Sequence, residues 1–126
     1  MLEKDYQQYI VREIKKVPYL KVACIQNEVG SNNVKLGAFW KSMGKMAGFS
    51  DLMVFNTKRK EIVFLEMKSK TSYKISPKTG KRIIARAGGK QEPHQELFQE
   101  FIEDMGFKYF LVGSEEQEKA FFDYIV

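Results

Sequence analysis

Hydrophobic positions along this chain fall into short periods separated by punctuation residues. From Glu3 to Lys16, the residues Tyr6, Ile10, Ile14 and Val17 recur at helical spacing on one stripe, and Pro18 stops the helix. Leu20 to Ile25 (LKVACI) is an apolar run of strand length. Asn27 to Asn33 is rich in Gly, Ser and Asn and reads as a loop. The stretch from 34 to 49 keeps no sustained period, and Gly37, Gly44 and Gly48 interrupt it, which predicts irregular structure. Two runs, Asp51–Phe55 and Glu61–Lys68, flank the turn sequence NTKRK and read as a hairpin. Lys70 to Lys90, with Pro77, Gly80, Gly88 and Gly89, reads as a loop whose central RIIAR is a segment that binding could order. Pro93 suits the first turn of a helix to Met105, with Phe98, Phe101, Ile102 and Met105 inward and Gly106 at the C′ position. Lys108 to Val112 (KYFLV) is a further strand. Ser114 and Gln117 form a capping-box pattern for a last helix packed through Phe121, Tyr124 and Ile125. The order α-β-β-β-α-β-α predicts an α/β chain, a mixed sheet flanked by helices, in a single domain over residues 1–126.

Composition narrows the class. A hydrophobic fraction of 44% in 126 residues is enough for a real core. No apolar run approaches the ~18 residues of a membrane span, and MLEKDYQQYI is charged and amphipathic rather than a signal peptide. One cysteine, Cys24, excludes an internal disulfide and a multi-cysteine zinc site, so an intracellular, cytoplasmic setting is expected. In an apolar strand Cys24 is most simply a small core side chain.

Charge changes the picture more. The net charge is +5, but seven basic residues and no acid lie between Lys70 and Lys90: Lys70, Lys74, Lys78, Lys81, Arg82, Arg86 and Lys90. Between Val29 and Ser50, Lys35, Lys41 and Lys45 again stand without an acid. Two basic segments therefore flank the 51–68 hairpin, which suits a polyanionic partner; the bland alternative is a solvated lysine-rich loop.

Within that hairpin, Asp51 opens one strand while Glu66 and Lys68 close the next on a shared face, following Ile62 and Phe64. A carboxylate at the end of an apolar row needs a partner or a metal. Two carboxylates and a lysine are what metal-assisted phosphodiester hydrolysis uses: hard oxygen ligands for a divalent ion, and a cation for the developing charge. The bland alternative is a surface ion pair. Glu3 lies in the stripe of Ile10 and Ile14 and is the candidate third carboxylate, or simply a favourable acid at a helix N-terminus. Gln95 shares the helix face of Phe98 and Ile102 and faces either the site or solvent. His94 is the lone histidine, which excludes chemistries needing several. There is no P-loop and no dinucleotide-binding glycine motif.

With these residues the chain resembles the VRR-NUC family (virus-type replication-repair nucleases) of the PD-(D/E)xK phosphodiesterase superfamily. EKDYQQYIVREI resembles the family's first helix, with its early acid at Glu3. KLGAFWKSMGKMAGFSDLMVF resembles the loop that delivers the metal-binding aspartate, here Asp51, with Ser50 where proline is usual. FLEMKS matches the E-x-K element at Glu66 and Lys68, and EPHQELFQEF the Ser-Pro-x-Gln helix at Gln95, with Glu92 in the serine position. The Lys70–Lys90 segment is longer than the pattern leads one to expect. The resemblance implies a restriction-endonuclease-like core and a Mg²⁺- or Mn²⁺-dependent endodeoxyribonuclease selective for branched DNA, such as Holliday junctions. It implies metal bound by Asp51, Glu66 and the Met67 carbonyl, with Glu3 as a direct or water-mediated ligand. Lys68 would position the nucleophilic water and Gln95 would support the site. It further implies a homodimer of phage or bacterial type. Phe39, Trp40, Met43 and Met46, or Phe121, Phe122 and Tyr124, are candidate contacts for such a dimer, with simple core packing as the alternative. The alternative is a non-catalytic nucleic-acid-binding module on the same fold.

Overall fold

The structure, a computed structural model, describes residues 2–25 and 34–126, so the loop expected over Asn27 to Asn33 lies outside the described residues. The elements are α1 (Glu3–Lys15), β1 (Leu20–Cys24), α2 (Val34–Ser42), β2 (Leu52–Asn56), β3 (Glu61–Met67), β4 (Ser72–Ile75), β5 (Arg82–Arg86), α3 (Pro93–Asp104), β6 (Lys108–Val112) and α4 (Glu115–Ile125). One sheet runs in the order β1-β2-β3-β6; the first two pairings are antiparallel, and β6 joins β3 in parallel. The expected mixed sheet with flanking helices is present.

Strand period 2 sorts the side chains into two layers. Leu20, Leu52, Val54, Val63, Leu65, Met67 and Val112 pack with Tyr6, Ile10 and Ile14 of α1 and Phe121 and Ile125 of α4. The opposite face is smaller: Phe64 and Tyr109 meet Phe98 and Ile102 of α3, with Phe49, Met53 and Ile62 at the margin. Residues 62, 64, 66 and 68 alternate onto this smaller face, so Glu66 and Lys68 stand where the apolar layer runs out.

Four expectations are corrected. Residues 34–42 form a helix, although no burial period announced it, because α2 leaves Phe39, Trp40 and most of its neighbours exposed and so carries no core stripe. The Lys70–Lys90 segment is not loop throughout: β4 and β5 pair as a separate two-stranded sheet, again with little buried on either face to imprint a pattern. The order is therefore α-β-α-β-β-β-β-α-β-α. On α3 only Phe98 and Ile102 are buried, whereas Phe101 and Met105 are 47% and 58% exposed, because the small layer accepts a one-residue-wide stripe. Cys24 is likewise exposed rather than core, at the end of edge strand β1, where its Sγ accepts from Gln7 Nε2 at 3.5 Å. No helix among the described residues is long and apolar enough to cross a membrane.

Asn56 fixes the β2–β3 turn. It is 1% exposed; its Oδ1 accepts from the Lys58 and Arg59 amides at 3.1 and 3.0 Å, while its Nδ2 donates to the Ile125 carbonyl at 2.9 Å. Asn56→Ala strands three backbone groups and is expected to lower unfolding free energy by about 2–3 kcal/mol. Urea melts that show an unchanged midpoint would refute this role.

Candidate active site

Asp51 precedes β2 and Glu66 sits one residue before the end of the neighbouring β3, so antiparallel pairing brings both to one end of the sheet. The Met67 amide donates to Asp51 Oδ2 at 2.8 Å, which locks that carboxylate against β3. Glu66 is 1% exposed. Its Oε1 accepts from Gln95 Nε2 at 2.9 Å, whereas its Oε2 is buried with no donor among the described residues. Burial, then the adjacent Asp51 carboxylate, hold the Glu66 pKa well above the usual carboxylate range; Lys68 opposes this only in part, and Glu3 adds a further small upward push. Two carboxyls this close share either a proton or a cation.

Gln95 organises the other half of the site. Its Oε1 accepts from Lys68 Nζ at 2.7 Å and from the Glu92 backbone amide at 2.9 Å. The amide's orientation is thereby fixed: two donors face the oxygen, and a carboxylate faces the nitrogen. Lys68 is itself 7% exposed, so its ammonium is presented from within the protein rather than from the surface. The ambiguity over Gln95 is resolved in favour of the site. Gly48 brings α3 within reach of the Asp51 loop: it has φ +76°, and a Cβ there would fall 2.2 Å from the His94 carbonyl oxygen. Ser50 is fully buried, and its Oγ donates to the Leu52 carbonyl at 3.2 Å.

The pair opens onto a cleft of about 540 Å³ whose lining includes Glu3, Lys41, Lys45, Phe49, His94 and Gln95. Glu3 is at the exposed rim: among the described residues no three His, Cys, Asp or Glu side chains stand close enough to hold one ion. Lys41 and Lys45 line the same cleft without ion-pair partners among the described residues. Of the other basic residues, Lys70 approaches Glu118 at 3.9 Å and Arg82 pairs with Glu115 at 2.8 Å, both acids on α4. Lys74, Lys78, Lys81, Arg86 and Lys90 have no such partner among the described residues.

Sequence reasoning passed over Tyr109 and Gln91. Tyr109 OH accepts from Gln91 Nε2 at 3.2 Å, and burial, then the nearby Glu66 charge, raise its pKa. Alternation along β6 could have placed Tyr109 on the Glu66 face; nothing in the sequence pointed to Gln91. As a donor set, Asp51 and Glu66 fit a hard divalent cation, because waters and a ligand can fill the remaining positions. The Met67 backbone lies beside Asp51, and the orphaned Glu66 Oε2 is the atom such a cation would satisfy. Compared with family models, curated proteins and solved structures, the chain matches none.

Glu66→Gln separates stability from cation binding. Because burial raises the folded pKa of Glu66 above its unfolded value, its contribution to stability is present in acid and is lost as pH rises past the ordinary carboxylate range. In chelator near neutral pH the variant is expected to be more stable than wild type by on the order of 1–3 kcal/mol. Saturating Mn²⁺ should raise the melting temperature of wild type and leave that of the variant unmoved. Equal Mn²⁺ stabilisation of both would remove Glu66 from any cation site.

Proposed function

We propose that this chain is a divalent-cation-dependent nuclease with a PD-(D/E)xK-type core that hydrolyses DNA phosphodiester bonds, with branched DNA as its preferred substrate. One observation carries the reading: a buried Glu66 carboxylate with an unpartnered oxygen, set against Asp51 at the mouth of a cleft flanked by lysines. A purely structural carboxylate is normally given donors at both oxygens; here one oxygen has none among the described residues, and either a proton or a cation must offset its burial.

In this reading Asp51 and Glu66, with the Met67 carbonyl, hold Mg²⁺ or Mn²⁺, and Glu3 acts through water from the rim. When bound, the ion supplies Lewis acidity at a non-bridging phosphate oxygen and favours deprotonation of the attacking water. The chain's own residues do the rest. Gln95 keeps the Lys68 ammonium aimed at the position where charge develops on the phosphoryl group, at no reorganisation cost during reaction. Lys41 and Lys45 take phosphates beside the scissile one, drawing the backbone across the carboxylate pair. A non-catalytic binding module is the competing reading, and a buried Glu66 set against Asp51 is of no use to it.

The direct test is to incubate the protein with Mg²⁺ or Mn²⁺ and linear, flapped and four-way DNA; no cutting of any of them would end the proposal. Lys68→Ala is expected to slow cleavage by on the order of 100-fold, the loss typical of one electrostatic stabiliser, with little change in DNA affinity. Wild-type cleavage by this variant would make Lys68 a structural residue only.

Symmetric cutting of a junction needs two sites in fixed relation, and a two-fold dimer provides them. The exposed Phe39, Trp40, Met43 and Met46 are an apolar surface for such pairing. Light scattering at micromolar concentration is expected to give about twice the 14.7 kDa chain mass. A monomer that cuts both strands symmetrically would refute the dimer.

A further inference from the structure

The β4–β5 hairpin, which resting on the nuclease reading has no part in the chemistry, stands apart from the main sheet, with every residue of β5 exposed. An isolated two-stranded ribbon is only marginally stable in water, yet this one is clamped at its root. The Thr71 amide donates to the Gly113 carbonyl at 2.8 Å, and the Gly89 amide donates to Ser69 O and Oγ at 3.2 and 2.9 Å. Gly88 is pinned among these strands: a Cβ there would fall 2.5 Å from the Ser69 carbonyl oxygen. Lys68 immediately precedes this root in sequence, and Gln95 lies in the first turn of α3 shortly after it.

Its two faces differ. Tyr73, Ile75, Arg82 and Ile84 share one, where the Arg82 guanidinium covers the Tyr73 ring at 3.8 Å and pairs with Glu115 of α4. The other face presents Lys74 and Ile83, while Lys78 and Lys81 stand at the tip around the tight turn at Gly80. Exposed isoleucines (Ile75 64%, Ile84 58%, Ile83 39%) are interleaved with cations that have no acidic partner among the described residues.

We propose that this hairpin enters the major groove of a B-form DNA duplex and holds that duplex in register with the Asp51–Glu66 site. A two-stranded ribbon fits that groove, which is about 12 Å wide, and there the phosphates line both walls and thymine methyls offer contact to isoleucine. With strands rising about 3.3 Å per residue, the arm reaches roughly 13–17 Å from its root, enough to span the groove's depth of about 8.5 Å. A single strand is a poorer occupant, because base stacking needs a free aromatic face and the hairpin's one ring is covered by Arg82. Duplex RNA is poorer still, since its major groove is deep and too narrow for side chains to read. The hairpin therefore selects B-form duplex arms over RNA.

The test measures binding of the full chain, in EDTA so that nothing is cut, to a DNA duplex and to an RNA duplex of the same sequence. Wild type is compared with K74Q/K78Q/K81Q/R86Q, whose changes are all at exposed positions; circular dichroism checks its fold. Wild type should prefer DNA at least about 10-fold, and its hairpin should protect guanine N7 in the major groove from dimethyl sulfate. The variant should lose that protection and most of the preference, with the log–log salt slope on duplex DNA falling by about 0.9 for each contact removed. Equal binding of DNA and RNA by wild type, unchanged protection in the variant, or lost binding that coincides with a lost dimer would each overturn the inference. Those outcomes leave the nuclease reading standing if wild type still cuts DNA; a wild type that neither binds nor cuts any nucleic acid sinks both.

Discussion

Placing Glu66 inside the protein, with one oxygen left without a donor, is the constraint around which the rest is arranged. An ionised carboxylate in that position is unfavourable, and Asp51 makes it more so. Every nearby feature limits that cost without removing it. The Met67 amide neutralises part of Asp51, Gln95 donates to the other Glu66 oxygen, and Lys68 supplies a cation that is itself restrained by Gln95. A proton satisfies the remainder, and on the proposed reading a divalent cation would satisfy it as well. The atom that makes burial costly is the one the proposed cation would meet.

The two unequal apolar layers explain how this is tolerated. The layer under α1 and α4 is continuous and fully buried, and it carries the stability of the domain. The layer under α3 is narrow, held by the aromatic contacts of Phe64, Phe98 and Phe49, and it ends where Glu66 begins. A polar site on the larger layer would interrupt the main core. On the margin of the smaller one it costs little packing, and a single helix, α3, positions it. Glycine at 48 completes the arrangement, since any side chain there would push the Asp51 loop off the first turn of α3.

Much of this was legible in the chain. Elements with a buried face wrote their period into the sequence: the stripe of Tyr6, Ile10 and Ile14, the alternation from Ile62 to Lys68, and Gly106 closing α3 with φ +89°. The hairpin pattern placed Asp51, Glu66 and Lys68 together correctly, and the apolar row before Glu66 gave away its burial. What the sequence did not disclose had no burial to record. α2 and the β4–β5 ribbon expose nearly all their side chains, so neither a helical nor a strand period was imposed on them. Phe101 and Met105 misled for the opposite reason, since hydrophobic residues at helical spacing need not find a layer wide enough to cover them. The hydrogen bonds of Gln95 were beyond reach, because spacing gives a face and not a partner.

Charge and connectivity then join the two undisclosed elements to the site. α2 brings Lys41 to one rim of the cleft, with Lys45 just beyond its end, and the ribbon carries its cations on an arm rooted between Lys68 and Gln95. The two residues that share the 2.7 Å hydrogen bond lie just before and just after the ribbon in sequence. At the root, Ser69, Gly88 and Gly113 pack closely, with no room for a side chain at Gly88. Glu118 of α4 approaches Lys70 at the base of the ribbon, while Glu115 pairs with Arg82 near its tip, an exposed ion pair that salt and competing phosphates readily replace. The distal end of the ribbon is thus tied to α4 by one exposed pair, whereas its root, beside Lys68, is held by backbone hydrogen bonds.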